Sequence, residues 1–218
     1  MTGSPTLRPV ATRGARTREH ILDVAEQLYG SQGVAHVSLR QIRIAAGQGN
    51  DAAVQYHFGD RDGIIRALTA RHHPPIAEIV ARLRSSHGET PSTRQLVAAL
   101  VQPWVEYATH GPGERAFLRI VAELSADPTL GFDTIQQNAI PELTEIGTAL
   151  YERLTTELDT DLAVERLWTL GRFALQAAAD RARLVDAGNA RRPALPDAAF
   201  IENVVAMAYG ALPAPLER

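Results

Sequence analysis

The chain has 218 residues, a formal net charge of −3 and no cysteine, which excludes a disulfide framework, a thiolate nucleophile and a cysteine zinc site. This length suits one or two domains. No apolar run approaches the ~20 residues needed to cross a bilayer and the N-terminus lacks a charged-then-apolar signal pattern, so a cytoplasmic chain with no membrane partner is expected.

The first dozen residues, MTGSPTLRPVAT, carry two prolines, a glycine and hydroxyl side chains without helical periodicity. They read as a flexible arm over 1–13, with Arg8 and Arg13 either entering a minor groove or simply solvated. A first helix follows from near Ala15 to Gln32. Ile21, Ala25, Leu28 and Tyr29 form its buried stripe and Gly33 its stop. Ser38 with Gln41 three residues on is a capping box, so a second helix starts there. Leu39, Ile42 and Ala46 share one face of it, and Gly47 permits the tight turn that ends it.

A third short helix is expected from about Asp51 to Phe58, with Val54 and Phe58 inward and Gln55, Tyr56 and His57 outward. Glutamine pairs bidentately with adenine, and tyrosine can hold a phosphate while its ring touches a thymine methyl. The alternative for Tyr56 is a ring that closes the small domain; for His57 it is a bond tying this helix to the next. Asn50 and Asp51 compete for the cap, and Asp51, if it touches DNA, accepts from a cytosine amino group. Asp60 caps a fourth helix whose N-terminus, with Arg61 in its first turn, suits a phosphate clamp.

Charge agrees with that placement. From Met1 to Asn50 six arginines (Arg8, Arg13, Arg16, Arg18, Arg40 and Arg43) face three acids (Glu19, Asp23 and Glu26), so this part is +3 and the remainder −6. The chain has no lysine. Genome composition explains that bias by itself, yet arginine forks hold phosphates and guanine edges bidentately.

The segment from Thr17 to Arg61 resembles the DNA-binding domain of the TetR/AcrR family of transcription regulators. The resemblance rests on TREHILDVAEQLYGSQGV, V-S-L-R-Q-I, the A-G turn, the Tyr56-His57-Phe58 triplet and the short step into the fourth helix, all in order. It covers about the first third of the chain. It implies an all-α protein: a three-helix helix-turn-helix domain over 14–62, then a larger helical effector-binding and dimerisation domain over 63–218. It also implies a homodimer on double-stranded DNA, with contacts from Arg16, Thr17, Ser38, Arg40, Arg43, Gln48, Asn50, Ala53, Gln55, Tyr56, His57 and Arg61. Two departures stand out. One extra residue separates Gly47 from the Tyr-His-Phe triplet, leaving Gln48 to Asp51 unaligned. Arg43 replaces a small alanine, so it either snorkels outward or adds a phosphate contact.

Beyond Ile65 the pattern is helical throughout. The fourth helix is expected from Arg61 to about Ser86, bent or interrupted at Pro74-Pro75. Others are expected near Ser92–Thr109, Gly113–Ala126, Ile140–Leu158, Leu162–Ala187 and Asp197–Ala211, punctuated by Gly88, Gly111, Pro112, Pro128, Gly188 and Pro196. Trp104, Tyr107, Phe117, Val121, Trp168 and Phe173 either line a cavity for a small, largely apolar effector, as the resemblance implies, or form ordinary core. His110 and Arg172 are the polar anchors for such an effector, although His110 also fits a helix end. Apolar stripes including Leu167, Leu170, Ala174, Ala178, Phe200, Val204 and Met207 on the last two helices suit a four-helix dimer interface.

Other functions find little support. There is no G-x-S-x-G elbow, phosphate-cradling loop or H-E-x-x-H pair. His72-His73 point in different directions on a helix and have no third ligand nearby, so no metal or cofactor is expected. A homodimeric repressor released by an effector is the leading reading. The alternative is a helical small-molecule sensor or adaptor whose helix-turn-helix no longer reads DNA.

Overall fold

The computed structural model describes residues 13–50, 52–86, 88, 90–127, 140–188 and 195–212. Among them the fold is all-α, with nine helices and no strand: α1 (Arg13–Gln32), α2 (Leu39–Ala45), α3 (Ala53–Phe58), α4 (Arg61–Ser86), α5 (Thr93–Tyr107), α6 (Pro112–Ala126), α7 (Pro141–Leu154), α8 (Thr160–Asp186) and α9 (Asp197–Ala211). The expected arm lies outside the described residues except for Arg13, which opens α1; Asp51 and Pro128 also lie outside them.

Local chemistry sets most boundaries. Ser38 accepts from the Gln41 backbone N–H at 3.2 Å while Gln41 Oε1 accepts from the Ser38 N–H at 2.8 Å, the reciprocal box expected from the sequence. Ser92 and Gln95 start α5 in the same way. Asp60 Oδ1 accepts from the Gly63 N–H at 2.8 Å and opens α4. α7 stops at Leu154, a turn short of the expected end, with turns through 155–157. Pro74 and Pro75 do not interrupt α4. Ile64, Ile65 and Leu68 before them and Ile76, Ile79, Val80 and Leu83 after them are all buried, so packing on both sides outweighs the missing backbone donors.

The three N-terminal helices and the head of α4 share one apolar cluster in which Ile21, Leu22, Ala25, Tyr29, Val34, Val37, Ile42, Val54, Phe58, Ile64 and Leu68 are buried. The cluster is continuous with the interior of the later helices, where α5 packs against α4, α7, α8 and α9. α6 lies between α1 and α8. Gly30 of α1 permits its close approach, since a Cβ there would sit 2.6 Å from the Ala116 Cβ. Small residues on α8 (Ala174, Ala178, Ala179 and Ala182) are fully buried. This corrects the dimer-face expectation for Leu170, Ala174, Ala178 and Val204, which are covered by the chain's own helices. Among the described residues no helix is long and apolar enough to cross a membrane.

Candidate functional site

The helix-turn-helix is built from α2, a turn and α3. Gly47 takes a φ of +62° in that turn, a backbone that a side chain with a Cβ adopts only under strain. The turn is stapled from within. Arg43 donates to the Gln48 carbonyl at 2.8 Å, and the Gln48 amide donates to the Ala46 carbonyl at 2.9 Å. The Arg43 guanidinium therefore folds back onto the turn, an arrangement that the sequence reading did not foresee. α3 begins two residues later than expected, because Asn50 Oδ1 accepts from the Ala52 N–H at 3.0 Å and its carbonyl from the Ala53 N–H.

On α3, Val54 and Phe58 face inward while Gln55 and Tyr56 face solvent, Tyr56 at 84% exposure. Ala53 is buried, so it supports the helix and cannot reach a base edge, a correction to the expected contact set. His57 is half-buried and in edge contact with the Tyr56 ring. Arg16 and Arg40 are exposed, whereas Thr17 donates its hydroxyl to the Arg13 carbonyl. Arg18 stacks over the Phe58 ring at 4.9 Å. Arg61 is half-buried at the head of α4, where its charge opposes the burial that pushes the Tyr29 phenol up to about 12. Ile44 stands 58% exposed on α2, an apolar surface position that helical periodicity did not single out.

A cavity of about 490 Å³ opens between α4, α5, α6, α7 and α8, within the size range of small-molecule sites. Trp104, Phe117, Val121, Trp168 and Arg172 line it as the sequence suggested, and Leu167 lines it too rather than a dimer face. Tyr107 does not, because it is buried with its hydroxyl against His72. His110 is exposed beyond the end of α5, where its backbone N–H donates to the Tyr107 carbonyl. Phe173 lines a separate groove of about 370 Å³ between α8 and α9, with Met207 and Leu212. Residues that the sequence did not assign to a cavity complete it, notably His73, Ile76, Leu143 and Tyr151. His73 Nε2 is buried there without a hydrogen-bond partner.

No protein-family model matches the chain. The chain is 35% identical over 72 residues to the HTH-type transcriptional regulator AcrR of Shigella flexneri, a match covering 33% of each protein. It is 30% identical over 115 residues to TtgW, an uncharacterised HTH-type transcriptional regulator of Pseudomonas putida, covering 52% of this chain and 78% of that one. The chain belongs to the TetR/AcrR family of transcriptional regulators. It thus spans a third of the length of its AcrR relative and over three quarters of TtgW. A solved structure agrees on the fold: native NalD, described as the secondary repressor of the MexAB-OprM multidrug efflux pump in Pseudomonas aeruginosa, superposes with a TM-score of 0.58. That match has 21% identity and covers 91% of this chain and 98% of NalD.

In this TetR/AcrR chain the N-terminal helices are tied to the cavity walls by polar groups that sequence reading missed. On α4, Arg71 reaches α1 through Glu19 and Asp23, each at 2.8 Å, and Glu26 at 3.0 Å. The next residue, His72, is buried with Nδ1 2.5 Å from the Tyr107 hydroxyl and its ring stacked on Phe117 at 4.1 Å. Its Nε2 lies 2.5 Å from buried Glu26 Oε1 without hydrogen-bond alignment. Burial lifts the Tyr107 phenol above the ordinary tyrosine range, and the negative charges of Glu114 and Glu26 add to it. From α6, Arg119 donates to the Gly30 carbonyl at 2.7 Å, and the Glu123 carboxylate accepts from the Val34 and Ala35 N–H groups. These partners lie 35 to 89 residues apart in the chain, so no local pattern marks them.

Proposed function

We propose that the chain is a homodimeric repressor that reads a palindromic duplex through α2 and α3 and is released when a small molecule fills the cavity. In this reading residues 14–62 contact DNA and 63–218 bind the effector and the second subunit. One observation carries it. α3 buries Val54 and Phe58 against the core and presents Gln55 and Tyr56 outward beside the Gly47 turn, the layout that inserts side chains into a major groove. Arg16 of α1 and Arg40 of α2 are exposed and available to phosphates, and the head of α4 adds Arg61 and a helix N-terminus.

A pair of readers is needed because one six-residue helix makes few base contacts. The second subunit is assigned to the outer faces of α8 and α9. There Met207, Tyr209 and Val185 are exposed, and the groove between the two helices is apolar. That replaces the interface expected from the sequence, retaining Met207 and half-buried Phe200.

Selection from a random duplex library tests the reading, run on wild type and on Gln55→Ala/Tyr56→Ala. The expected result is a palindromic consensus that the double variant loses, with binding that weakens steeply as salt rises. If folded, ligand-free protein enriches no sequence, the DNA-reading proposal fails and the sensor or adaptor reading takes its place.

A further inference from the structure

We infer that the molecule this cavity takes is an amphipathic monoanion, an apolar body with one carboxylate seated against Arg172. The inference rests on the cavity being the effector site. Its walls are aliphatic and aromatic, and no aspartate or glutamate is among the lining residues. The threonine and serine hydroxyls among them are already committed as donors. Thr69, Ser125, Thr144 and Thr148 donate to carbonyls of Ile65, Val121, Ile140 and Thr144. A cation entering this space would lose water and meet no compensating negative charge.

Arg172 supplies the opposite preference. It lines the cavity, is exposed to solvent, and has no ion-pair or hydrogen-bond partner among the described residues. Other arginines of α6 and α8 are engaged: Arg115 and Arg119 hold Asp186, and Arg181 holds Asp197. Arg172 follows Val164 and Trp168 at four-residue steps on α8, and both of these are also exposed at 38% and 42%. They form one stripe along the rim. A carboxylate on the guanidinium fork keeps its remaining lone pairs in water while its body runs past Trp168 into the cavity. His73 Nε2 is a second uncommitted polar atom on the wall, so a body carrying a single hydroxyl or carbonyl is also accommodated.

The test uses the intact protein and its own fluorophores, because its two tryptophans, Trp104 and Trp168, both line the cavity. Tryptophan emission is followed while decanoate, decan-1-ol and decyltrimethylammonium are titrated, each kept below its micelle concentration. The three share an apolar body and differ in head charge. Decanoate is expected to bind at least about fivefold tighter than decanol, with the cation weakest. In Arg172→Gln the decanoate-to-decanol ratio should fall to near one, and Arg172→Lys should restore most of it. Decanol or the cation binding as tightly as decanoate, or a ratio that survives in Arg172→Gln, overturns the inference and leaves the effector-site reading intact. Binding of none of the three probes to folded protein overturns both.

Discussion

Gly30→Ala probes the seam between α1 and α6. A Cβ at Gly30 would lie 2.6 Å from the Ala116 Cβ and 2.9 Å from its Cα, against 3.4 Å for ordinary contact. The obstructing atoms belong to α6 itself and cannot rotate away, so the helices must part by the 0.8 Å between 2.6 and 3.4 Å. Such overpacking costs about 1–3 kcal/mol. Parting also stretches the bond from Arg119 to the Gly30 carbonyl, now 2.7 Å, a charge-assisted contact worth roughly 1.5–3 kcal/mol when lost in full. Alanine in a helix interior returns about 1 kcal/mol over glycine. The net is a loss of about 2 kcal/mol, and at roughly 2–4 °C per kcal/mol the Tm should fall by about 4–8 °C. Calorimetry on the single variant and on Gly30→Ala/Ala116→Gly measures it. The double variant should recover part of the loss, because the nearer obstruction is gone while the Cα remains. A Gly30→Ala protein with unchanged or raised Tm would refute the tight seam, because helix propensity alone would then decide the sign.

Three further outcomes follow from the same geometry. Tyr107→Phe removes the hydroxyl beside His72 Nδ1 and leaves a buried polar atom without a partner, at a cost of about 1–3 kcal/mol in chemical denaturation; wild-type stability would show that the contact is dispensable. Gly63→Ala places a Cβ 1.7 Å from the Phe58 carbonyl oxygen, so it should dislodge α3 and abolish duplex binding in an anisotropy titration, whereas Gly14→Ala, with open space around it, should not. Burial opposes ionisation of Asp186, but Arg115 and Arg119 outweigh it and hold its carboxyl below the ordinary 3.8. A depressed carboxylate stabilises above its unfolded value and loses that contribution as pH falls through the folded one. The Tm difference between wild type and Asp186→Asn should therefore be present at neutral pH and shrink once the pH drops below 3.8, and a difference that grows on acidification would contradict it.

What the sequence revealed was local in origin. Ser38 with Gln41, Gly33, Gly47 and Asp60 act within four residues of themselves, so spacing alone located the first four helices and the turn. Val54 and Phe58 against Gln55 and Tyr56 followed from the helical period. Ala53 was misplaced because the extra residue after Gly47 is absorbed ahead of α3 by the Asn50 turn, which no family pattern fixes. On α8 the periodicity marked an apolar stripe without saying what covers it. Ala174 and Ala178 meet helices of their own chain, while Trp168 and Arg172, on the opposite side, edge the cavity. Tyr107 and Trp104 are three residues apart on α5, yet only Trp104 faces the cavity, since Tyr107 is drawn to His72 of α4.

The consecutive residues Arg71, His72 and His73 bring the two ends of the proposed mechanism together. Arg71 and His72 hold α1 through Glu19, Asp23 and Glu26, and His73 lines the cavity. α4 is stiff over this stretch, because it is helical from Arg61 onward with Ile64, Ile65 and Leu68 buried beneath it. His73 lies twelve residues from Arg61, or about 18 Å along the axis. In the proposed mechanism, a ligand that displaces His73 would move the Arg61 end as well or break the contacts to α1. Phe117 offers a second wall with the same outcome. Its ring lines the cavity and stacks on His72, and its helix holds the α1 terminus through Arg119 and Glu123. Because α1 is gripped by both walls, widening the cavity between α4 and α6 would, in the proposed mechanism, carry α1 and with it α2 and α3 packed on it. Loosening one grip should reduce the ligand's effect on DNA affinity, whereas a route through α4 alone predicts that Arg119→Ala leaves that effect unchanged.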